Sequence, residues 1–219
     1  MRFIDRAGQF GSSNNNHLMR PGEQTLLDRV RALTHTSFGT HRGLVRLILG
    51  ELEFLIGRLQ PFLDFEPSAV HRLVFVCLGN INRSAFGQAV ACSLGARAIS
   101  VGLSTTTGFP AFEKAIAIAP VYGHTLSAHR TTDFADYEYG PGDLLLVMEV
   151  RHAHELLRRG IPRHAVVLLG HWARPHRIHI HDPHHLCDDY FLTCFTIIQS
   201  AVANLVHELR LAGSPSVKS

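Results

Sequence analysis

Residues 73 to 84 read Leu73-Val74-Phe75-Val76-Cys77-Leu78-Gly79-Asn80-Ile81-Asn82-Arg83-Ser84, an apolar run that leads into a cysteine, a glycine–asparagine pair and an arginine. The β-branched and aromatic run predicts a buried strand, and the glycine and asparagine predict a turn directly after it. Arg83 follows Cys77 by six positions and can return to it only if the chain between them curls into a tight loop. The backbone N–H groups of such a loop point inward and, together with a guanidinium, surround a tetrahedral oxyanion.

The residues at the two ends of this loop favour chemistry on the bound oxyanion. Positive potential inside the loop stabilises a thiolate at Cys77, and the thiolate is the form of cysteine that attacks. If a helix begins at Ser84, its N-terminus adds further positive potential. The stretch therefore predicts a phosphate-binding loop that carries its own nucleophile.

The pattern Cys-Leu-Gly-Asn-Ile-x-Arg-Ser after a strand resembles the phosphate-binding loop of the low-molecular-weight protein tyrosine phosphatases. Four further segments resemble that family in the same order along the chain: Ser100-Val101-Gly102-Leu103, His129-Arg130, Asp143-Leu144 through Met148-Glu149, and Asp182-Pro183. A bare Cys-x5-Arg occurs often by chance, so the resemblance depends on these ordered matches. It covers about residues 70 to 212.

The resemblance implies a protein-tyrosine phosphatase that hydrolyses phosphotyrosine monoesters through a cysteinyl-phosphate intermediate, without a metal or cofactor. Its partner would be a phosphotyrosyl protein such as a tyrosine kinase. Cys77 would attack phosphorus, Asp182 would protonate the leaving oxygen, and Arg83 would bind two phosphoryl oxygens. Ser84 would donate a hydrogen bond to the thiolate, although a simple helix N-cap is an alternative interpretation. The other implied positions are Leu78, Gly79, Asn80, Ile81, Asn82, His184 and His185 for phosphate and substrate binding, and Ser100 and His129, with Asn80, for support of the loop.

Three positions depart from the sequence that is usual in that family. Asn82 stands where many members carry a second cysteine, which can form a protective disulfide with the nucleophile. His184-His185 replaces the aromatic pair that often grips a phosphotyrosyl ring, and Thr106-Thr107 replaces bulkier residues along the cleft. These departures leave the preference for an aromatic phosphoester open. Protonation of the two histidines near pH about 6.5 is expected to strengthen the binding of acidic or phosphorylated partners in mild acid.

From residue 72 onward, strands alternate with helices in the pattern of a parallel α/β sheet. Strands are predicted at 72–76, 97–101, 143–148 and 165–169, and helices at 84–95, 111–121, 150–159 and 188–211. The resemblance implies a phosphatase I-like fold, with a four-stranded parallel sheet in the order 2-1-3-4 flanked by helices. Cys77 then lies at the carboxyl end of the first strand, where open α/β sheets bind their ligands.

About seventy residues precede the catalytic domain, which is expected to span residues 70–219. Residues 1–20 contain the run Gly11-Ser12-Ser13-Asn14-Asn15-Asn16 and are expected to form a flexible arm. Residues 21–69 are expected to form a helical extension, with helices near 23–33 and 42–59 whose apolar positions fall on one face. The second apolar stripe could pack on the catalytic domain, pair with a second copy or a partner protein, or lie across the cleft. The sequence leaves these three open.

Composition limits the other classes of function. The chain has 219 residues, 46% of them hydrophobic, and a formal charge of +3 without runs of like charge, so nucleic-acid binding is not expected. A membrane span is not expected, because no run of about 18 residues is uncharged and apolar throughout. The N-terminus carries no apolar signal-peptide core. Four cysteines without paired spacing suit a reducing compartment, so a cytoplasmic protein is expected.

Cysteine and histidine positions keep two alternatives open. Cys187 and Cys194 lie seven apart, a spacing similar to that of the resolving pair in arsenate reductases of this fold, although here they follow the Asp-Pro segment. Cys194 and Cys92 are expected to be buried and structural. A phosphate-binding regulatory module, in which the helical extension carries the function, is the second alternative. His179 and His181 are expected to point to one side of an extended segment, but no metal-ligand spacing accompanies them and no metal is expected.

Overall fold

The computed structural model describes residues 36–38 and 40–213 of the chain. The predicted arm of residues 1–20 and the predicted helix of residues 23–33 lie outside the described residues. The strands are β1 (Arg72–Cys77), β2 (Ala98–Gly102), β3 (Asp143–Val147) and β4 (Val166–Leu168). The α-helices are α1 (His41–Leu55), α2 (Arg83–Ser93), α3 (Glu113–Ile118), α4 (Val150–Arg158) and α5 (Asp188–Gly213), and residues 36–38 are also helical. Short 3-10 helices lie at Gln60–Phe62, Pro67–Ala69, Ala119–Tyr122, Phe134–Asp136, Arg163–Ala165 and Leu169–Trp172.

The strands form one parallel sheet in the order β2-β1-β3-β4, which confirms the predicted fold. β1 lies between β2 and β3, with Cys77 opposite Gly102 and Val76 opposite Val147. Parallel neighbours need crossover connections, and α2 lies in the crossover from β1 to β2. The carboxyl ends of all four strands therefore meet at one edge, and the loop that follows β1, one of the two central strands, starts there.

Alternate residues of β1 face two separate apolar layers. Phe75 and Cys77 pack with α2 and α5 on one face, and Val74 and Val76 pack with α4 on the other. Burial on both faces explains why this strand is a continuous apolar run and not an alternating one. α2 approaches the sheet closely because Gly87 has no side chain: a Cβ there would lie 2.5 Å from Cδ1 of Phe75.

Helix boundaries differ from the predicted ones where the backbone changes conformation. The helix predicted at 42–59 ends at Leu55, and Gly57 follows in the left-handed region with a φ of 77°. The helix predicted at 111–121 is divided into α3 and a 3-10 helix. Pro120 explains this division, because it has no N–H with which to continue the α-helical hydrogen bonds.

The two cysteines predicted to be structural have different environments. Cys194 is fully buried on the inner face of α5, which confirms its prediction. The prediction for Cys92 is wrong, because this residue is exposed. Val90 and Ala91, immediately before it, take the buried face of α2, and the next position turns outward.

α1 packs on the rest of the chain through a face other than the predicted apolar stripe. Gly50, Glu51 and Phe54 contact the segment that leads from β4 to α5. The opposite face exposes large apolar side chains, namely Val45, Ile48, Leu49, Leu52 and Leu55, with Ile56 directly after the helix. Beyond α1, Phe62 and Leu63 are buried against the sheet. The boundary at residue 70 between extension and catalytic domain stays a prediction.

One helix within the described ranges, Asp188–Ala212, is long and apolar enough by composition to cross a membrane. More than half of its most apolar window, 56%, is buried inside the fold. Its inner face packs against α2 and the sheet through residues such as Phe191 and Phe195. A core helix needs this composition, so the apolar character of α5 is weak evidence for a membrane span.

Candidate active site

The loop from Cys77 to Asn82 connects the carboxyl end of β1 to Arg83, the first residue of α2. Asn80 lies in the left-handed region with a φ of 53°, a conformation that is uncommon outside glycine. Leu78 is exposed at the rim of the loop, whereas Cys77, Asn82 and Arg83 are buried. The chain therefore curls back on itself, and the cysteine and arginine belong to the same compact turn.

Cys77 lies at the end of β1 with 3% of its surface exposed. Its Sγ atom is 3.0 Å from Oγ of Ser84 and accepts a hydrogen bond from the N–H of Asn80 at 3.3 Å. A hydroxyl and an amide at these distances can both donate to a thiolate, and the N-terminus of α2 adds positive potential. Ser84 thus contacts the sulfur and also lies in the first turn of the helix.

Asn80 is the hydrogen-bonding centre of the loop. Its Nδ2 donates to Oγ of Ser84 at 2.9 Å and to Oγ of Ser100 at 2.8 Å. Its Oδ1 accepts from the N–H of Thr132 at 2.8 Å, and its carbonyl lies 2.7 Å from Nε2 of His129. Contacts on every side of the residue hold its left-handed backbone in place. Ser100 and His129 therefore contact the loop where the sequence predicted support, and Thr132 is a further contact that sequence reasoning missed.

The guanidinium of Arg83 is buried between two carboxylates. Its Nη1 donates to Oε1 of Glu149 at 2.7 Å and to the carbonyl of Ile180 at 2.9 Å. Its Nη2 lies 2.8 Å from Oδ2 of Asp182. Burial alone would lower the pKa of Arg83, but the charges of Asp182 and Glu149 raise it overall, so the group stays cationic. Nε donates no hydrogen bond to a described residue, and Nη2 has only the ion pair with Asp182.

Glu149 holds Arg83 from the side of the sheet. Only Met148 separates it from the end of β3; its side chain is 1% exposed, and it also accepts from Arg151 at 2.9 Å. Burial raises the pKa of Glu149, but the charge of Arg83 and the hydrogen bond from Arg151 lower it overall, so the carboxylate remains ionised. The sequence held a signal for this role. A carboxylate directly after the strand beside β1 must lie at the same edge as the cysteine.

Asp182 lies in the irregular segment between β4 and α5, with a side chain that is 30% exposed. One carboxylate oxygen faces Nη2 of Arg83, and the other accepts from the N–H of His184 at 3.2 Å. The fold therefore brings this carboxylate, distant in sequence, to the arginine of the loop. Of the residues predicted for catalysis, Cys77, Ser84, Arg83 and Asp182 form one connected group.

Aromatic rings line the chain beside Asp182. The ring of His184 lies 4.7 Å from the ring of Phe112 and 3.8 Å from the ring of His185. The N–H of Phe112 donates to the carbonyl of Ile81 at 3.0 Å, which ties this aromatic group to the loop. Phe112 was missed by sequence reasoning, because it precedes α3 and is far from the loop in sequence.

The expected pH response of the two histidines needs a correction for His184. Burial and the neighbouring His185 lower the pKa of His184 below its ordinary value, while Asp182 works in the opposite direction. His184 therefore gains its charge at a lower pH than an ordinary histidine. The positive potential expected near pH about 6.5 is smaller than predicted from two ordinary histidines.

Known proteins are similar to this chain in sequence and in fold. Residues 72–214 match the family model described as low molecular weight phosphotyrosine protein phosphatase. The probable low molecular weight protein-tyrosine-phosphatase AmsI of Erwinia amylovora is 31% identical over 144 residues, which cover 64% of this chain and 98% of that protein. The chain belongs to this family.

Solved structures agree with membership of the low-molecular-weight phosphatase family. The crystal structure of AmsI has a TM-score of 0.57 at 28% identity, covering 67% of this chain and 97% of that one. The tyrosine phosphatase Wzb from Escherichia coli K30, in complex with sulfate, has a TM-score of 0.56 at 29% identity, covering 64% and 99%. An arginine phosphatase from Geobacillus stearothermophilus, with a TM-score of 0.56 at 20% identity and coverage of 64% and 94%, adds only the fold.

The histidines considered for a metal site have other neighbours in this family member. The rings of His179 and His181 point to one side, with centroids 6.0 Å apart. Nε2 of His179 is 3.7 Å from Oε2 of Glu149, and Nε2 of His181 is 3.3 Å from Oγ1 of Thr40. Among the residues that the structure describes, no three His, Cys, Asp or Glu side chains are grouped as a metal would require.

A buried histidine beside the loop of this phosphatase is expected to make folding stability pH-dependent. Burial, together with the charge of Arg83, lowers the pKa of His152 to about 3. An unfolded chain takes up this proton below about pH 6.5, whereas the folded chain does not until about pH 3, so stability falls as pH falls between these values. One such group contributes a slope of at most about 1.4 kcal/mol per pH unit.

The His152→Gln variant is therefore expected to lose stability less steeply with acid than the wild type. The measurement is the free energy of unfolding, from urea titrations at several pH values between about pH 6 and pH 4.5. Plotted against pH, the free energy of His152→Gln should fall less steeply than that of the wild type, by about 1 kcal/mol per pH unit. His154→Gln is the matched control, because His154 lies in the same helix and is exposed. Equal slopes for wild type and His152→Gln would contradict the assignment.

Proposed function

We propose that the protein hydrolyses phosphotyrosine monoesters in proteins through a cysteinyl-phosphate intermediate. The observation that carries this proposal is the Nε–Nη2 edge of Arg83: buried Nε donates no hydrogen bond to a described residue, and Nη2 has only the ion pair with Asp182. Buried donors without acceptors are rare in folded proteins. A phosphoryl group seated in the loop offers two oxygens in the geometry that a guanidinium fork fits.

The first step transfers the phosphoryl group to sulfur. The thiolate of Cys77 attacks phosphorus, an S–P bond forms as the P–O bond breaks, and Asp182 gives its proton to the leaving phenolate oxygen. Arg83 and the loop amides stabilise the charge on the equatorial oxygens. A phosphate dianion that displaces the carboxylate of Asp182 from Nη2 places negative charge beside it. That charge favours the protonated carboxyl group that the step needs.

The second step returns the enzyme to its starting state. A water molecule attacks phosphorus and gives a proton to the carboxylate of Asp182, while the S–P electron pair returns to sulfur. Ser84, 3.0 Å from the sulfur, donates a hydrogen bond to the emerging thiolate of Cys77. Each group in this cycle ends in the protonation state in which it began, so no cofactor or metal is required.

Rings beside Asp182 support a preference for aryl phosphates. Phe112, His184 and His185 lie ring to ring next to the loop, with centroids 3.8 to 6.4 Å apart. A phenyl ring extending from a phosphate in the loop gains edge and face contacts from such a group. This group of side chains takes the place of the aromatic pair that is usual in the family.

The partners and location expected from the sequence remain part of this proposal. The substrate is a phosphotyrosyl protein such as a tyrosine kinase, encountered in the cytoplasm, and neither nucleic acid nor a membrane span is involved. A homodimer through the N-terminal helices would use the exposed apolar face of α1 that includes Leu52 and Leu55. Contiguous exposed apolar side chains of this kind favour association.

The arsenate-reductase alternative is weaker. Cys194 is fully buried, and burial raises the pKa of its thiol, which disfavours the thiolate that a resolving cysteine needs. Cys187 is exposed just before α5. The regulatory-module alternative assigns no role to the carboxylate of Asp182, which lies 2.8 Å from Arg83, because a module that only binds phosphate needs no general acid.

The Asp182→Asn variant tests the proposed function. With EDTA present throughout, kcat/KM for a phosphotyrosyl peptide is expected to fall about 10²- to 10⁴-fold, because the amide cannot protonate the leaving oxygen. p-Nitrophenyl phosphate should be affected less, since its leaving group needs the proton less. Asp189→Asn is the matched control, an exposed aspartate in the first turn of α5. Full activity of Asp182→Asn on the peptide would contradict the proposal.

A further inference from the structure

The segment that carries Asp182 has no regular secondary structure from residue 173 to residue 187. Without a helix or strand ladder, several of its backbone polar groups have partners outside the segment. On the inner side, the N–H of Ile180 donates to the carbonyl of Met148 at 2.9 Å, and the carbonyl of Ile180 accepts from Arg83 at 2.9 Å. These two bonds tie one face of the segment to the end of β3 and to the loop.

The outer side of the same segment is held by α1. Oε1 of Glu51 accepts from the N–H of Ile178 at 3.1 Å, and its Oε2 lies 3.4 Å from Nδ1 of His176. The ring of Phe54 lies 4.8 Å from the ring of His176. The helix approaches closely at Gly50, where a Cβ would lie 3.1 Å from Cγ2 of Ile178.

The beginning of α1 reaches the residue directly before Asp182. Oγ1 of Thr40 caps the helix by accepting from the N–H of Gly43 at 2.9 Å, and it lies 3.3 Å from Nε2 of His181. A Cβ on Gly43 would lie 2.9 Å from Cδ2 of His181, so only glycine permits this contact. Ahead of the helix, Arg177 donates to the carbonyl of Ser37. The extension therefore contacts the segment at 176, 177, 178 and 181.

We propose that α1 is a positioning element for the general acid, with Glu51 and Thr40 fixing residues 176–181 so that Asp182 stays beside the phosphate-binding loop. This inference rests on the proposed function, because it assigns the helix to the protonation step of that reaction. α1 lies before residue 72, where the match to the family begins, so the family fold does not supply this contact. Glu51 and Thr40 act only through the segment, since the residues of the site region that they contact are His176, Ile178 and His181.

If the general acid Asp182 is displaced, the reaction rate falls more for substrates whose leaving group needs a proton. The phenolate that leaves a tyrosine phosphate has a conjugate acid of pKa about 10 and needs a proton as the P–O bond breaks. A dinitrophenolate is a far weaker base and leaves without one. Loss of acid positioning therefore lowers the rate for phenyl phosphate and spares dinitrophenyl phosphate, whereas a general loss of folded enzyme lowers both equally.

The experiment compares kcat/KM for phenyl phosphate and 2,4-dinitrophenyl phosphate, because this ratio reports the steps up to loss of the leaving group. Glu51→Ala is expected to lower the value for phenyl phosphate about tenfold or more, as small displacements of catalytic groups do, and to change the dinitrophenyl value less than about twofold. Glu51→Gln keeps an acceptor for the N–H of Ile178 and should restore most of the loss. Glu53→Ala is the control, two positions away on the same helix.

Thr40→Val provides a second test through the other contact, and it carries the comparison if Glu51→Ala fails to fold. Equal losses on both substrates in the folded variants would overturn the positioning role. Unchanged activity of Glu51→Ala on phenyl phosphate would also overturn it. If Asp182→Asn shows the leaving-group dependence in the same experiments, the proposed function stands and only the positioning role is lost. A wild-type enzyme inactive on both substrates would instead remove the proposed function and this inference together.

Discussion

The Cys77→Ser variant is expected to lose turnover of aryl phosphates, with kcat lower on the order of 10⁴- to 10⁶-fold, as for other covalent nucleophiles. A hydroxyl is not ionised at neutral pH, and here the nearest side-chain group, Ser84 Oγ at 3.0 Å, is no base. The loop itself should survive the change, because Asn80 makes most of its bonds to other residues. Binding of inorganic phosphate is therefore expected to persist within a few-fold of the wild type.

The measurement pairs a rate with a binding constant: hydrolysis of p-nitrophenyl phosphate, and calorimetric titration with inorganic phosphate. Cys92→Ser is the matched control, because that cysteine is exposed near the C-terminal end of α2, away from the loop at the start of the helix, and full activity is expected. A Cys77→Ser variant that turned over substrate at a substantial fraction of the wild-type rate would exclude a cysteinyl-phosphate intermediate. Loss of both turnover and phosphate binding would show that the loop had not kept its shape.

Features that are local in sequence could be predicted from it. The apolar run before Cys77, the turn at Gly79-Asn80 and the spacing to Arg83 all lie within twelve residues, so the local sequence was enough to predict the loop. The sheet order followed from the resemblance, and the strands occur within a residue or two of the predicted positions. Local turn chemistry and strand periodicity carry this information.

Features that depend on long-range packing could not be predicted in the same way. The apolar stripe of α1 did not show whether it packs on the catalytic domain. Ile48 and Leu52 of that stripe are exposed, and the helix packs through Gly50 and Glu51. A periodic pattern reports which residues share a face, but not which face meets the protein. The environment of His184 could not be predicted for the same reason, because Phe112 is distant in sequence and only the fold brings it to the ring of His184.

Replacing the arginine tests the geometry of the site and not only its charge. The Arg83→Lys variant keeps one positive charge for Glu149 but loses the Nε and Nη2 edge, which a lysine ammonium cannot reproduce. kcat/KM for p-nitrophenyl phosphate is expected to fall about 10³-fold or more, in the range seen when an arginine that stabilises phosphoryl transfer is lost. Inhibition by inorganic phosphate should weaken less, because the fork contributes most where charge spreads over the equatorial oxygens in the transition state.

Arg151→Lys is the control for this change, because Arg151 contacts the same carboxylate from a side chain that is 49% exposed, and exposed ion pairs contribute little. Stability must be separated from catalysis, since an arginine buried between Glu149 and Asp182 also affects folding. Thermal unfolding of Arg83→Lys establishes the folded fraction before any rate is compared. A folded Arg83→Lys variant with near wild-type kcat/KM would mean that the phosphoryl group does not bind at the Nε–Nη2 edge of the guanidinium. The buried Nε, which has no described partner, would then need an acceptor other than a phosphoryl oxygen.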